Sequence, residues 1–154
     1  MDIQSALTGH ELFSLLSPEE VARLSNASSE KHFKKGETIY RKATLTSHFF
    51  VVLKGEVRMN LPGTGEGTGF RLGKLGPGEL FGLSPVLGFE RYTVTATAEN
   101  DVVLLAIEVE PFLDVLRRNP VAGSGFHGAM VRAYYSRYLR LAKALQGIVE
   151  NLGT

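Results

Sequence analysis

The chain has 154 residues, 44% of them apolar and 21% charged, which is enough for one domain with a single core. Seventeen Lys and Arg against sixteen Asp and Glu leave a net charge of +1, so no global field draws the chain to nucleic acid or to an anionic membrane. The absence of cysteine excludes disulfides, thiolate metal sites and thiol nucleophiles, and no run approaches the roughly 20 apolar residues of a membrane span.

The N-terminal segment MDIQSALTGHELF lacks the basic start and apolar stretch of a secretory signal, which predicts a cytoplasmic protein. Up to about Asn26 the apolar period is helical. Ser17-Pro18-Glu19-Glu20 reads as a capping box, with Ser17 as N-cap, Pro18 at the first helical position and Glu20 reaching back. Leu12, Phe13, Leu15 and Leu16 before it, and Val21 and Leu24 after it, supply the buried faces of two short helices.

From about Lys31 to Glu108 the sequence reads as strands punctuated by glycine. GETIYRK, HFFVVLKGEVRMNL, FRLGKL, YTVTATAE and VVLLAIEV are rich in β-branched and aromatic residues. Lys54-Gly55-Glu56 is a tight turn, and the stretch from Pro62 to Gly69 reads as a flexible hairpin tip. That stretch lacks the Gly-Lys-Ser/Thr ending of a phosphate loop and precedes a strand. Short strands at this spacing predict a sandwich or barrel.

Residues 76–99, GPGELFGLSPVLGFERYTVTATAE, contain the candidate site. Glu79-Leu80-Phe81 forms a short strand ending at Gly82. Ser84-Pro85 repeats the N-cap pattern, predicting one helical turn from Pro85 to Leu87 that stops at Gly88. The N–H groups of Leu83 and Ser84 then point outward together, and glycine at 82 lets a ligand approach the backbone. Arg91 follows the turn. It either grips a phosphate bidentately or pairs on the surface with Glu79, Glu90 or Glu99.

Pro111 is read as opening a short helix, FLDVLRR, which stops at Asn119-Pro120. A long helix follows, with Gly123 and Gly125 expected to fray its first turn. Along it His127, Val131, Tyr134, Tyr138, Leu141, Leu145, Ile148 and Leu152 recur at spacings of 4 and 3, a heptad seam. Such a stripe also suits a helix packed on its own domain. Its length favours a two-stranded coiled coil, so residues 1–120 are expected to form the sheet domain with its N-terminal helices and 121–154 a dimerisation helix. Arg132, Arg137, Arg140 and Lys143, which flank the seam, are read first as solvated, with an anionic contact as the lesser alternative.

The run LFSLLSPEEVARL, KKGETIYRK and FFVVLKGEV, continued through GPGELFG and RYTVTA, resembles the cyclic nucleotide-binding domain of catabolite-activator-type regulators and of cyclic-nucleotide-dependent kinases and channels. Gly36, Gly55, Gly78 and Gly82 at turn positions are its markers. The resemblance implies a mainly β fold with flanking helices: an eight-stranded jelly-roll barrel, short N-terminal helices and a long C-terminal helix. It also implies that the insert from Gly82 to Arg91 is a phosphate-binding cassette, that an arginine grips the cyclic phosphate, and that the C-terminal helix caps the base. Gly82, Leu83, Ser84, Arg91, Tyr92 and Thr93 are accordingly the expected ligand-binding residues, with Tyr134 and Tyr138 as base-capping residues. Val131, Tyr134, Tyr138, Leu141, Leu145, Ile148 and Leu152 are the expected dimer interface.

The chain departs from the family pattern in two places. Leu83 stands where a ribose-binding glutamate is usual, a loss of about 1.5–3 kcal/mol if a 2′-OH faces it, and Glu79 is not expected to substitute. The segment between Gly82 and Thr93-Val94-Thr95-Ala96 is about two residues short. Glu90 rather than Arg91 then falls nearest the arginine's place, and Tyr92 replaces a small residue and is expected to fill part of the hollow. The expected function is a ligand-sensing regulatory module that binds cAMP ahead of cGMP and signals through its C-terminal helix as a homodimer. The alternative is a divergent member that senses another ligand or none and serves in dimerisation. His10, His32, His48 and His127, the only possible haem ligands, are scattered without a His-x-His pair, and no Ser-His-Asp spacing stands out. No metal, cofactor, enzyme activity, membrane contact or direct nucleic-acid contact is expected.

Overall fold

The computed structural model describes residues 2–64 and 69–153. The tip of the predicted loop between Pro62 and Gly69, residues 65–68, lies outside the described residues. Helix α1 (Ile3–Thr8) starts on the Asp2 side chain and is followed by a short 3-10 helix, Glu11–Phe13. Helix α2 (Pro18–Asn26) carries the predicted capping box: Ser17 Oγ accepts from the Glu20 N–H at 3.2 Å, and the Glu20 carboxylate accepts from the Ser17 N–H at 2.9 Å.

Eight strands follow among the described residues: β1 (Ser28–Phe33), β2 (Thr38–Tyr40), β3 (His48–Lys54), β4 (Val57–Pro62), β5 (Gly69–Leu75), β6 (Leu80–Phe81), β7 (Thr95–Ala98) and β8 (Val102–Glu108). They pair antiparallel in two separate four-stranded sheets, ordered β1-β8-β3-β6 and β2-β7-β4-β5, rather than closing into the expected barrel. Helix α3 (Val109–Arg118) begins two residues before Pro111, and helix α4 (Pro120–Leu152) runs for 33 residues.

Strands β3 and β8 explain the layering. Phe49, Val51, Leu105 and Ile107 face a core shared with Leu7, Phe13, Leu24, Phe112, Val115 and Phe126 of the helical layer. The alternate residues Phe50, Val52, Leu104 and Ala106 face a second core with Tyr40, Val57, Leu75, Tyr92, Ala96 and Ala98. Successive side chains of a strand point to opposite faces, so a sheet covered on both sides demands the unbroken apolar runs FFVV and LLAI.

Three sequence expectations are corrected by these elements, and a fourth holds. Strand β1, SSEKHF, was not expected because its residues are polar; it forms because it pairs with β8 along six residues. Strand β7 starts at Thr95 rather than Tyr92, since residues 90–92 bond instead to 43–46. Residues 84–88 make the single expected helical turn, with the Leu87 N–H donating to the Leu83 carbonyl at 3.2 Å and Gly88 ending it at a φ of +89°. Helix α4 does not fray at Gly123. A Cβ there would lie 3.1 Å from the Leu116 carbonyl oxygen, so the missing side chain lets α4 press against α3.

Asn119 ties these helices together. Its Oδ1 accepts from Ala122 N–H at 3.1 Å and caps α4, while its Nδ2 donates to the Leu15 carbonyl at 3.1 Å and to the Glu20 carboxylate at 2.9 Å. The Ser17 N–H, and after it Asn119, hold the Glu20 carboxyl below its usual range. Ser17→Ala is therefore expected to cost about 1 kcal/mol in urea unfolding. Because both residues act on Glu20, Ser17→Ala with Asn119→Ala should be non-additive by about 0.5 kcal/mol or more; strict additivity would separate the two ends.

Candidate functional site

At the end of β6 the chain turns through Gly82, whose φ is +70°. A Cβ at that position would meet Phe50 Cδ2 at 3.0 Å and Tyr40 Cε2 at 3.3 Å, so position 82 is closed to larger side chains both by its backbone angle and by two rings. The turn delivers Leu83 into the helical-side core, where it is 1% exposed. That burial accounts for an apolar residue at 83 in place of a carboxylate. Ser84 follows, also buried, and its Oγ lies 3.4 Å from Thr93 Oγ1. Among the described residues neither the Leu83 nor the Ser84 N–H donates to a backbone carbonyl.

These residues form one wall of a cavity of about 350 Å³. Met59 and the β5 residues Leu72 to Leu75 form a second wall, and Tyr134, Arg137, Tyr138, Arg140 and Leu141 of α4 close it from above. Tyr40 lines it as well. Its ring stacks on Tyr92 with centroids 3.8 Å apart, and burial pushes its phenol far above the usual range. Lys74, Arg137 and Arg140 give the lining three cations; no aspartate or glutamate among the described residues lines it, and Glu79 reaches Arg140 from outside the lining at 3.0 Å. Such a lining favours an anion carrying an apolar or aromatic body.

The structure gathers Gly82, Leu83, Ser84, Thr93, Tyr134 and Tyr138 of the expected residues around this cavity. Arg91 and Tyr92 are not among the lining residues, which corrects the expected geometry of the cassette. Residues 90–92 bond to residues 43–46: Ala43 N–H donates to the Tyr92 carbonyl at 2.8 Å, Tyr92 N–H to the Thr44 carbonyl at 3.0 Å, and Thr46 N–H to the Glu90 carbonyl at 2.9 Å. Alternation along this segment turns Arg91 outward, where it is exposed and donates to the Ala43 carbonyl at 2.8 Å. It pairs with none of the glutamates considered for it: Glu79 holds Arg140 at 3.0 Å and Glu99 holds Arg58 at 3.1 Å. Tyr92 turns inward beneath Tyr40 and donates to the His48 carbonyl at 2.7 Å, so it lies in the core rather than in the hollow.

Arg137 was read first as solvated, and the structure places it in the cavity instead. Its guanidinium donates to the Leu80 carbonyl, its Cζ lies 5.5 Å from the Tyr134 ring centroid, and burial draws its pKa below the usual arginine value. The signal was present in the sequence: Tyr134, Arg137, Tyr138 and Leu141 share one face of a 3.6-residue helix. Tyr40, from a three-residue strand, carried no such signal.

On the seam, Tyr134 and Leu141 line the cavity of their own chain. Val131, Tyr138, Leu145, Ile148 and Leu152 of the expected interface are exposed on α4, together with Tyr135, Leu139 and Val149. The histidines stay apart. His10 bonds the Gly78 carbonyl at 2.8 Å and His127 the Gly123 carbonyl at 2.7 Å, while His32 lies 3.2 Å from Glu30. No group of three potential metal ligands occurs among the described residues, and no described helix is long and apolar enough to cross a membrane.

A family model described as the cyclic nucleotide-binding domain matches residues 30–119, more than half of the chain. The chain is 31% identical over 126 residues to the cyclic AMP receptor protein of Thermus thermophilus, covering 82% of this chain and 58% of that protein. It is 29% identical over 114 residues to the cAMP-dependent protein kinase regulatory subunit of Eremothecium gossypii, covering 74% and 24%. The chain thus spans less than two thirds of either relative. Among solved structures, the sensor domain of the transcriptional regulator DNR from Pseudomonas aeruginosa superposes with a TM-score of 0.75 at 21% identity, over 90% of this chain and 95% of that one. The catabolite activator protein of Thermus thermophilus superposes with a TM-score of 0.64 at 30% identity, over 90% and 62%.

Gly82→Ala is expected to destabilise the protein by about 1–3 kcal/mol, the cost of holding a Cβ at that backbone angle against two rings. Thermal unfolding checks this, and an unchanged melting temperature would mean that the turn is free to relax.

Proposed function

The chain belongs to the cyclic nucleotide-binding domain family, and on that premise we propose that its cavity between β4, β5, the segment 82–93 and α4 binds a cyclic nucleotide and regulates through α4. The observation that carries this reading is the lining itself: three cations, of which Arg140 is paired with Glu79, two backbone N–H groups without backbone acceptors, and two hydroxyls beside two tyrosine rings. A cyclic nucleotide presents one anionic phosphodiester and one flat aromatic base. The phosphate suits the Leu83 and Ser84 N–H groups with the Ser84 and Thr93 hydroxyls, and the base suits the faces of Tyr134 and Tyr138. Both curated relatives described above are named for cAMP, which puts cAMP ahead of cGMP.

In this reading the module is regulatory rather than catalytic, works in the cytoplasm, and touches neither membrane nor nucleic acid directly. A ligand acts only through different affinities for two positions of α4. Seated under Tyr134 and Tyr138, it favours the position in which they close over the cavity. Residues 121–154 then serve as the dimerisation helix, through the exposed stripe that includes Val131, Tyr138, Leu145, Ile148 and Leu152. Two observations favour a second reading, a divergent pocket that takes another anion or acts only in dimerisation. Leu83 offers a ribose hydroxyl no carboxylate, and Arg91 lies outside the cavity.

Calorimetric titration with cAMP and with cGMP tests the first reading. Micromolar binding is expected, tighter for cAMP, and no heat from either nucleotide would leave the second reading in place. Sedimentation tests the stripe. The parent is expected to be a dimer and Leu145→Lys a monomer; a monomeric parent would remove the dimer from the proposal.

A further inference from the structure

Arg137 forms no ion pair among the described residues, although the Glu79 charge reaches it and favours its charged form. Its Nε is buried and has no hydrogen-bond partner, and its guanidinium is satisfied only by the Leu80 carbonyl and the Tyr134 ring. The nearest carboxylate in sequence to that carbonyl, Glu79, is already engaged, with Oε1 3.0 Å from Arg140 Nη2 and Oε2 accepting the Gly76 N–H at 2.7 Å. No acidic side chain among the described residues lines the cavity. A buried charge held this way keeps much of its desolvation cost, and that cost is relieved when an anion arrives. Across the same cavity stand the Leu83 and Ser84 N–H groups, which donate to no backbone acceptor. Arg91, the guanidinium that the segment itself supplies, is committed outside to the Ala43 carbonyl.

We propose that Arg137 is the anion-anchoring residue of this cavity, holding the ligand's phosphate from α4 in place of an arginine on the 82–93 segment. The proposal deepens the reading above and rests on the same cavity, but it concerns any compact oxyanion, whether the phosphodiester of a cyclic nucleotide or free phosphate. Its geometry makes the ligand's charge a tie between the Leu83–Ser84 turn and the helix. Binding must then draw the guanidinium from the Leu80 carbonyl toward the anion, and the planar fork offers Nε and one Nη together for a bidentate grip.

The test follows the Arg137 Nε–Hε resonance of the 154-residue chain during titrations with cAMP, cGMP and inorganic phosphate, beside calorimetry of Arg137→Gln, Arg137→Lys and Arg91→Gln. The expected result is a shift of that resonance on binding and an affinity loss of about ten- to hundredfold in Arg137→Gln. Arg137→Lys should lose less, and Arg91→Gln should bind as the parent does. The unliganded melting temperature of Arg137→Gln should stay close to the parent's, which a purely structural role would not allow. If the parent binds a cyclic nucleotide while Arg137→Gln binds it equally well, or while the Arg137 resonance stays still, the proposal is overturned and the cyclic-nucleotide reading survives. If only phosphate binds and moves the resonance, the proposal stands and that reading falls. If none of the three binds, both fall. Should Arg137→Gln fail to fold, the resonance of the parent decides alone.

Discussion

The structure depends on one sheet being buried on both faces. Strands β3 and β8 send alternate side chains into two cores, one shared with the helices and one with the second sheet. Phe49 meets Phe112 at 4.7 Å between centroids and Phe126 at 5.9 Å on one side, while Phe50 meets Phe81 at 5.0 Å on the other. This fixes the register of the strands, since a one-residue slip would exchange the two aromatic sets. It also fixes the root of α4 through Ala122, Phe126 and Met130, and with it the phase at which the helix passes over the open sheet. The cavity exists because α4 leaves the core at that phase and crosses β5 and the 82–84 turn before its far end becomes exposed.

Within the cavity, shape and charge come from different parts of the chain. The turn at Gly82 contributes backbone, with its two unspent N–H groups, and buries Leu83 as ballast in the apolar core. The helix contributes the guanidinium groups, and β2 contributes Tyr40. Beyond the turn the segment sends Tyr92 into the core and Arg91 outward. The same stretch, residues 90–92, is taken up by bonds to 43–46.

How much of this was legible in the sequence follows from how local each signal is. The capping box at Ser17 and the start of α4 at Pro120 rest on contacts within a few residues and read directly. The runs FFVV and LLAI read as strands from their β-branched and aromatic residues, but that their sheet is covered on both faces is seen only from the two cores. Strand β1 was hidden because SSEKHF is polar and owes its extension to β8, more than seventy residues on. Arg137 was hidden for a related reason. Helical periodicity shows that it shares a face with Tyr134 and Leu141, but not that this face turns toward a sheet rather than toward water. The outward turn of Arg91 is a matter of one residue's parity, settled by pairing with a loop that no local pattern announces.

Helix α4 is one unbroken rod of 33 residues clamped at a single end. From Met130, its last buried residue, to Leu152 it extends about 33 Å at the ordinary helical rise. Pivoting by about 10° at the clamp would carry the tip roughly 6 Å, by the same rise. The cavity sits against the near half of this lever, so sub-ångström adjustments beside Tyr134 and Arg137 are magnified several-fold at Val149 and Leu152.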